Sequence, residues 1–301
     1  MRILAIRESS VPVGTPMRNA SVSFHAMTAS AVAIVSDAVV HGRPLVGYAF
    51  DSIGRYAKGG LLRERFIPRL LAAPAGALLD AEGLIDPEQC WKVLMQDEKD
   101  GGHGERPGAV GLLDAALWDL RAKQRGVPLW RELAQRYGTP DASPRIATYG
   151  SCGHFQAGGT DALREEVARA RALGYTTVKI KVDGRDARGD ALRIEAAAAA
   201  LGDTRRLAVD ANGKATPDWM TAMQPYGLAW IEEPAAPLDY AALADFAGQG
   251  ATPIGTGENL FSWDDARNLL RYGGLRADRD RIQIDMLLAY GLPEYRRILA
   301  S

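Results

Sequence analysis

The chain has little cysteine: Cys90 and Cys152 stand far apart and in no metal-ligand spacing. That argues against a disulfide framework and fits a reducing cytoplasm. Long apolar runs are also missing. No stretch reaches the eighteen or so apolar residues of a membrane span. Arg2, Arg7 and Glu8 interrupt Met1–Gly14, which therefore lacks the apolar centre of a signal peptide. A cytoplasmic protein with no membrane partner is expected. Nor is there an excess of one charge. A formal net charge of -1 generates no field to gather nucleic acid, and no basic patch is interleaved with aromatics. What remains is 301 residues with 47% hydrophobic and 24% charged residues, the composition of a soluble globular protein with room for two domains or one large α/β domain.

Two textures divide the chain. The first part reads as α+β, with strands at Ala31–Val35 and Leu45–Phe50 joined through His41-Gly42-Arg43-Pro44. Helical patterns follow at Leu61–Leu71, Pro87–Met95 and Ala109–Gln124, where Val110, Leu113, Leu117 and Leu120 recur at helical steps. A short helix comes after Pro128. The breaker-rich stretch from Tyr137 to Pro144 is the expected boundary, giving domains 1–142 and 143–301. Beyond it strands and helices alternate. Strands are expected at Arg145–Tyr149, Thr176–Val182, Arg206–Asp210, Ala229–Glu232, Pro253–Gly257 and Arg281–Asp285, with helices between them and a last helix at Pro293–Ala300. Repeated βα units mean a parallel sheet with helices outside. The expected fold class is α/β: an α+β N-terminal domain, then an incomplete TIM-type barrel. A full barrel takes about 250 residues and eight strands, and here about six are legible.

Active sites of parallel barrels lie at the C-terminal ends of the strands. Asp210 ends LAVD, Glu232 follows AWI and Glu258 follows PIGTG, each about one βα unit from the last. Three hard oxygen donors on successive strands suit Mg²⁺. Singly each has a plainer reading: Asp210 in DANG also fits a turn or helix cap, and Glu232 or Glu233 a surface charge. One strand earlier, Lys179 and Lys181 lie two apart and so on one face. Buried there, each lysine disfavours the other's charge, lowering a pKa towards the range of a general base. An edge strand with both lysines in solvent is the alternative. Together the groups suit removal of a proton next to a metal-held carboxylate.

These motifs, Lys179-Ile180-Lys181, Asp210-Ala211-Asn212, Glu232-Glu233-Pro234 and Gly257-Glu258-Asn259, resemble those of the enolase superfamily in its mandelate racemase subgroup. The resemblance is nearest to its tartrate-dehydrating branch. It rests on MRNA at 17–20, GRYAKGGLLRERF at 54–66, DEKDGGHGERPGAVG at 97–111, GENLFSWDDARNLLRYGG at 257–274 and RDRIQIDMLLAYGLPEY at 279–295. It implies a capping domain for specificity and a (β/α)₇β barrel for chemistry. By resemblance Asp210, Glu232 and Glu258 bind Mg²⁺, Lys181 is the base with Lys179 beside it, and Asn19 and Lys99 contact a small hydroxy-acid substrate. Asn212 and Asp285 then stand behind these groups, and His154 takes the place of an aromatic substrate contact. On their own, Asn19 reads as a turn former, Lys99 as a solvated charge and His154 as a loop histidine. Arg55 and Arg106 are weaker anion-binding candidates. The resemblance allows a homo-oligomer.

Ile53 departs from the branch's pattern, where a polar contact stands. The branch's general-acid histidine, on a seventh strand, has no counterpart: His25, His41, His103 and His154 all precede the lysine pair. Asp285 resembles the aspartate that orients that histidine. Three functions are therefore expected to compete: dehydration of a tartrate-like hydroxy diacid or acid sugar, racemisation or epimerisation at the same site, and a non-catalytic fragment. GGHGERPG follows no clear strand and is not read as a phosphate loop.

Overall fold

A computed structural model describes residues 1–51, 56–99, 104–139 and 143–301. Ile53, Arg55, His103 and the loop 140–142 at the expected domain boundary lie outside the described residues.

Three strands, β1 (Ile3–Pro12), β2 (Thr28–Val40) and β3 (Arg43–Phe50), form an antiparallel sheet in that order. Ser30, Val32, Ile34 and Ser36 alternate as the buried residues of β2, the period-two pattern of a strand with one face on a core. The two strands expected here fall inside β2 and β3. β1 was not anticipated, because Arg7, Glu8, Ser9 and Ser10 interrupt its apolar residues and an end strand needs less burial. Next, α1 (Gly59–Leu61) runs through a π-helical turn at Leu62–Phe66 into α2 (Ile67–Ala72). Then come α3 (Pro87–Leu94), α4 (Glu105–Arg125) and α5 (Leu129–Arg136). Val110, Leu113, Ala116, Leu117 and Leu120 of α4 are fully buried and pack with Ile34, Phe66 and Leu70. Helix α4 stops at Gly126, which is left-handed, and the Val127 N–H bonds the Ala122 carbonyl, a glycine-capped helix end.

The second sheet is parallel, with strands in chain order: β4 (Gly150–Cys152), β5 (Val178–Lys181), β6 (Leu207–Asp210), β7 (Trp230–Glu232), β8 (Ile254–Thr256) and β9 (Arg281–Ile282). Helices α6 (Gly159–Ala172), α7 (Ala187–Leu201), α8 (Pro217–Met223), α9 (Tyr240–Gln249) and α10 (Trp263–Tyr272) alternate with them, and α11 (Leu292–Leu299) follows β9. Val178, Ile180, Val209, Ile231 and Ile254 share one core with Val167, Ile194, Trp219, Phe246 and Leu269 of the helices. The expected succession of six βα strands is therefore present. Its first member is displaced: Arg145–Tyr149 is not a strand, and Ile146 there is 86% exposed. Pairing begins only where the Gly150 N–H reaches the Thr177 carbonyl at 2.9 Å. The last strand is also shorter than expected, pairing at Arg281 and Ile282 alone. No described helix is long and apolar enough to cross a membrane.

Helix α4 joins the two halves. A Cβ on Gly111 would lie 2.6 Å from the Leu287 carbonyl oxygen, so this approach needs glycine. Asp114, one turn on, accepts from the Leu292 N–H at 2.7 Å and so caps α11. Trp91 Nε1 donates to the Tyr290 carbonyl at 2.6 Å. Asp114 is fully buried, and burial pushes its carboxyl up to about 8 against the pull of the Leu292 N–H, with Glu88 adding to the rise. The folded chain thus keeps a proton that the unfolded chain releases near its ordinary value of 3.8. The stability from that proton is full below this value and is lost as pH rises towards 8. Asp114→Asn keeps the acceptor and cannot ionise. Its stability relative to wild type, from urea unfolding, should grow by about 1.4 kcal/mol per pH unit between pH 5 and 8. A constant difference across that window would show that Asp114 does not titrate there.

Candidate active site

The sheet register assembles the site. Lys181 is paired with Asp210, and Asp210 with Glu232, so three consecutive strands end at one level. Glu258 follows β8 by two residues, after Gly257 with φ +116°. One carboxylate oxygen from each of Asp210, Glu232 and Glu258 lies within 4.8 Å of the others, with Asp210 and Glu232 buried and Glu258 partly so. All donors are hard oxygens, and among the described residues no thiolate or imidazole joins them, which fits a divalent cation of the magnesium type.

Both lysines are buried at 7% exposure and point into this acid cluster, which rules out the solvent-facing alternative. Lys179 Nζ contacts Glu232 Oε1 and lies 3.4 Å from Asp210 Oδ2, and Lys181 Nζ contacts Asp210 Oδ2. The expectation that the pair would lower a lysine pKa is reversed at Lys179. Burial does push that ammonium down, but Asp210 and Glu232 outweigh burial and hold it above the ordinary lysine range. Asp210 shows the counterpart: burial pushes it up, and Lys181 then Lys179 overcome this and hold it below the carboxylate range. Glu232 goes the other way. Burial raises it, Lys179 pulls against the rise and Asp210 reinforces it.

Several supporting groups were not foreseen. Glu232 Oε2 accepts from Trp230 Nε1 at 3.1 Å and Gln283 Nε2 at 2.6 Å. Lys179 Nζ lies 5.6 Å from the centre of the Tyr149 ring. Arg193 donates to the Lys181 carbonyl at 3.1 Å and to the Gly153 carbonyl at 2.6 Å, tying β5 to the loop after β4. Glu233, left-handed at φ +42°, accepts from Asn259 Nδ2 at 2.6 Å. Burial, Glu258 and Asp210 push it up to about 8. Trp230 and Gln283 read as apolar and polar strand residues in sequence, and only the register aims them at one carboxylate.

A cavity of about 500 Å³ opens over this cluster, with Lys181, Glu233 and Glu258 in its wall. The loop holding Met17, Asn19, Ser21 and Phe24 closes it from the N-terminal half. Ser21 Oγ donates to the Asn212 carbonyl at 2.9 Å, and the Phe155 N–H bonds the Arg18 carbonyl at 3.0 Å. Asn19 lines the cavity while its Oδ1 accepts from the Ser21 and Val22 N–H groups at 2.8 and 2.7 Å, so it is also the turn former read from sequence. His154 lines it too, edge-on to Phe24 at 6.2 Å. Burial and Lys181 hold its imidazole below the ordinary range. Asn212, at φ +46°, places its N–H 3.0 Å from Asp210 Oδ1 and leaves its own buried Oδ1 without a partner among the described residues. Two expected residues are not among those lining this cavity. Lys99 is exposed and does not line the cavity. Asp285 caps a turn, accepting from the Leu287 N–H at 2.8 Å. Arg106 pairs with the buried Glu98 and lies over Tyr290.

An α+β unit precedes a parallel sheet whose successive strand ends carry three acids, with two lysines on the strand before them. Residues 162–301 match the enolase C-terminal domain-like family. The 3,6-anhydro-alpha-L-galactonate cycloisomerase of Streptomyces coelicolor is 35% identical over 215 residues, covering 66% of this chain and 55% of the relative. The L-talarate/galactarate dehydratase of Salmonella typhimurium is 31% identical over 214 residues, covering 69% and 51%. The crystal structure of L-talarate dehydratase from Polaromonas sp. JS666, complexed with Mg and L-glucarate, matches with a TM-score of 0.74 at 25% identity, covering 99% of this chain and 77% of that one. Residues 162–301 thus carry an enolase C-terminal domain-like unit, and the chain is similar over its length to solved mandelate racemase/muconate lactonizing enzyme-like proteins. It spans about half the length of the curated relatives it matches.

Proposed function

We propose that this chain carries the metal-and-base part of a Mg²⁺-dependent dehydratase site for a small polyhydroxy acid, a tartrate-like diacid being the smallest candidate. One observation carries the reading: three carboxylates on successive strands converge within 4.8 Å, and Lys181 stands in register beside them. Asp210, Glu232 and Glu258 hold the ion. When bound, Mg²⁺ supplies an anchor for a substrate carboxylate and offsets the charge that builds there as the adjacent proton leaves. Lys181, in the cavity wall, takes that α-proton. Lys179, held by Glu232 and Asp210, positions the acids. The C–H pair becomes a C=C bond, the β-C–O bond breaks, and the departing hydroxide takes a proton from solvent to leave as water. The enol so formed tautomerises to an oxo acid.

The dehydratase relatives support this reading. The cycloisomerase relative supports a second one, in which the same proton abstraction ends in isomerisation, racemisation or epimerisation with no loss of water. The test is incubation of residues 1–301 with Mg²⁺ in D₂O and a panel of tartrates, galactarate and galactonate. Deuterium at the α-carbon is followed by NMR and oxo acid by semicarbazone absorbance. Both signals are expected. Exchange without oxo acid moves the reading to the isomerase, and neither signal with any acid would reject an enzymatic role for this chain.

A further inference from the structure

We propose that Lys214 is a specificity residue that recognises a second anionic group on the substrate, at the end away from the carbon that loses its proton. The proposal rests on the reading of the site just given and deepens it. Two lysines are among the residues lining the cavity, Lys181 and Lys214. Lys181 is engaged with Asp210. Lys214 is exposed and has no ion pair or side-chain hydrogen bond among the described residues.

The backbone under Lys214 is held in place. Its N–H turns back on the Ala211 carbonyl at 3.1 Å. On either side of it, the Gly213 N–H bonds the Glu233 carbonyl at 2.7 Å and the Ala215 N–H bonds the Pro234 carbonyl at 3.1 Å. The Thr216 N–H bonds the Gly184 carbonyl at 3.1 Å, and a Cβ on Gly184 would lie 2.9 Å from the Ala215 nitrogen. A turn pinned on both sides carries a side chain free to choose its partner.

Charge decides which partner. Glu233 and Glu258 share the wall with Lys214, so an anion entering without a cationic contact meets carboxylates. The hydroxyls and amides of Asn19, Ser21, Ser151 and Asn259 suit the hydroxylated middle of a ligand and carry no charge to favour an anionic end. With one carboxylate at the acid cluster and Lys181 engaged by Asp210, Lys214 is the lysine among the described lining residues left to meet a second anion. The class of ligand this selects is a hydroxylated dicarboxylic acid over the monoacid of the same length.

The test is isothermal titration of wild-type, Lys214→Ala and Lys214→Arg chains in Mg²⁺ with galactarate, a diacid, and galactonate, the corresponding monoacid. Lys214→Ala should weaken galactarate binding about 10- to 100-fold, the range for a hydrogen bond to a charged group, and leave galactonate binding unchanged. Lys214→Arg should restore most of the galactarate affinity. An equal change for both acids, or no change for either, would overturn the assignment of Lys214 and leave the site reading standing. Failure of the wild-type chain to bind either acid would overturn the site reading, and this proposal with it.

Discussion

Lys181→Met is expected to reduce α-proton exchange about 10²- to 10⁴-fold, the contribution of a positioned general base, and to leave Mg²⁺ binding intact or tighter. Methionine keeps an unbranched stem in a slot that is 7% exposed, so the change removes the amine and little packing. Asp210 then keeps the Asn212 N–H at 3.0 Å and Lys179 at 3.4 Å, and its Oδ2 loses the competitor a cation must displace. Lys179→Met has a different signature. It strips Glu232 of one donor and leaves those of Trp230 and Gln283, so it should disturb ion affinity more than the intrinsic exchange step. Deuterium incorporation at saturating Mg²⁺ separates the two. Exchange at the wild-type rate in Lys181→Met would remove Lys181 from the role of base, and loss only in Lys179→Met would transfer the role there.

How much of this was readable beforehand depends on the kind of interaction. Asp210, Glu232 and Glu258 were legible because a parallel strand followed by its helix has a nearly fixed length, so residues one unit apart reach the same sheet edge. That the two lysines share one face followed from two-residue periodicity alone, which left open whether that face was buried. The raised pKa of Lys179 did not, since it depends on Lys179 meeting Asp210 and Glu232, the latter fifty-three positions away. Trp230 and Gln283 were invisible for the same reason. Strand β4 was misplaced because Gly150, Ser151 and Cys152 have weak strand character, while Arg145–Tyr149 contains the strand formers Ile146, Thr148 and Tyr149 without pairing as a strand. Asn19 was seen both as a turn former and as a substrate contact by resemblance. The structure gives it the turn and puts it in the cavity wall.

Asp210→Asn should abolish Mg²⁺ binding at concentrations that saturate wild type. Loss of a supporting contact alone weakens a metal site about 10- to 100-fold, and removing one of three direct anionic donors exceeds that. Stability has to be read with care for charge, because the substitution also takes the counter-charge from Lys181 in a buried pair, a change that destabilises by about 3–5 kcal/mol. A lower melting temperature without metal therefore follows whether or not Asp210 binds an ion. The ion's own contribution is the difference each protein shows with and without Mg²⁺. At 100 times its Kd a ligand specific to the folded state adds about 2.7 kcal/mol, so wild type should gain several degrees on adding Mg²⁺ and lose them to a chelator, and Asp210→Asn should do neither. Glu233→Gln supplies the control. Glu233 stands beside the cluster without joining its convergent oxygens, and the amide still accepts from Asn259. That variant should keep the Mg²⁺-dependent shift. A wild-type shift surviving in Asp210→Asn would mean that the ion sits elsewhere and that the three carboxylates serve only to hold the lysines.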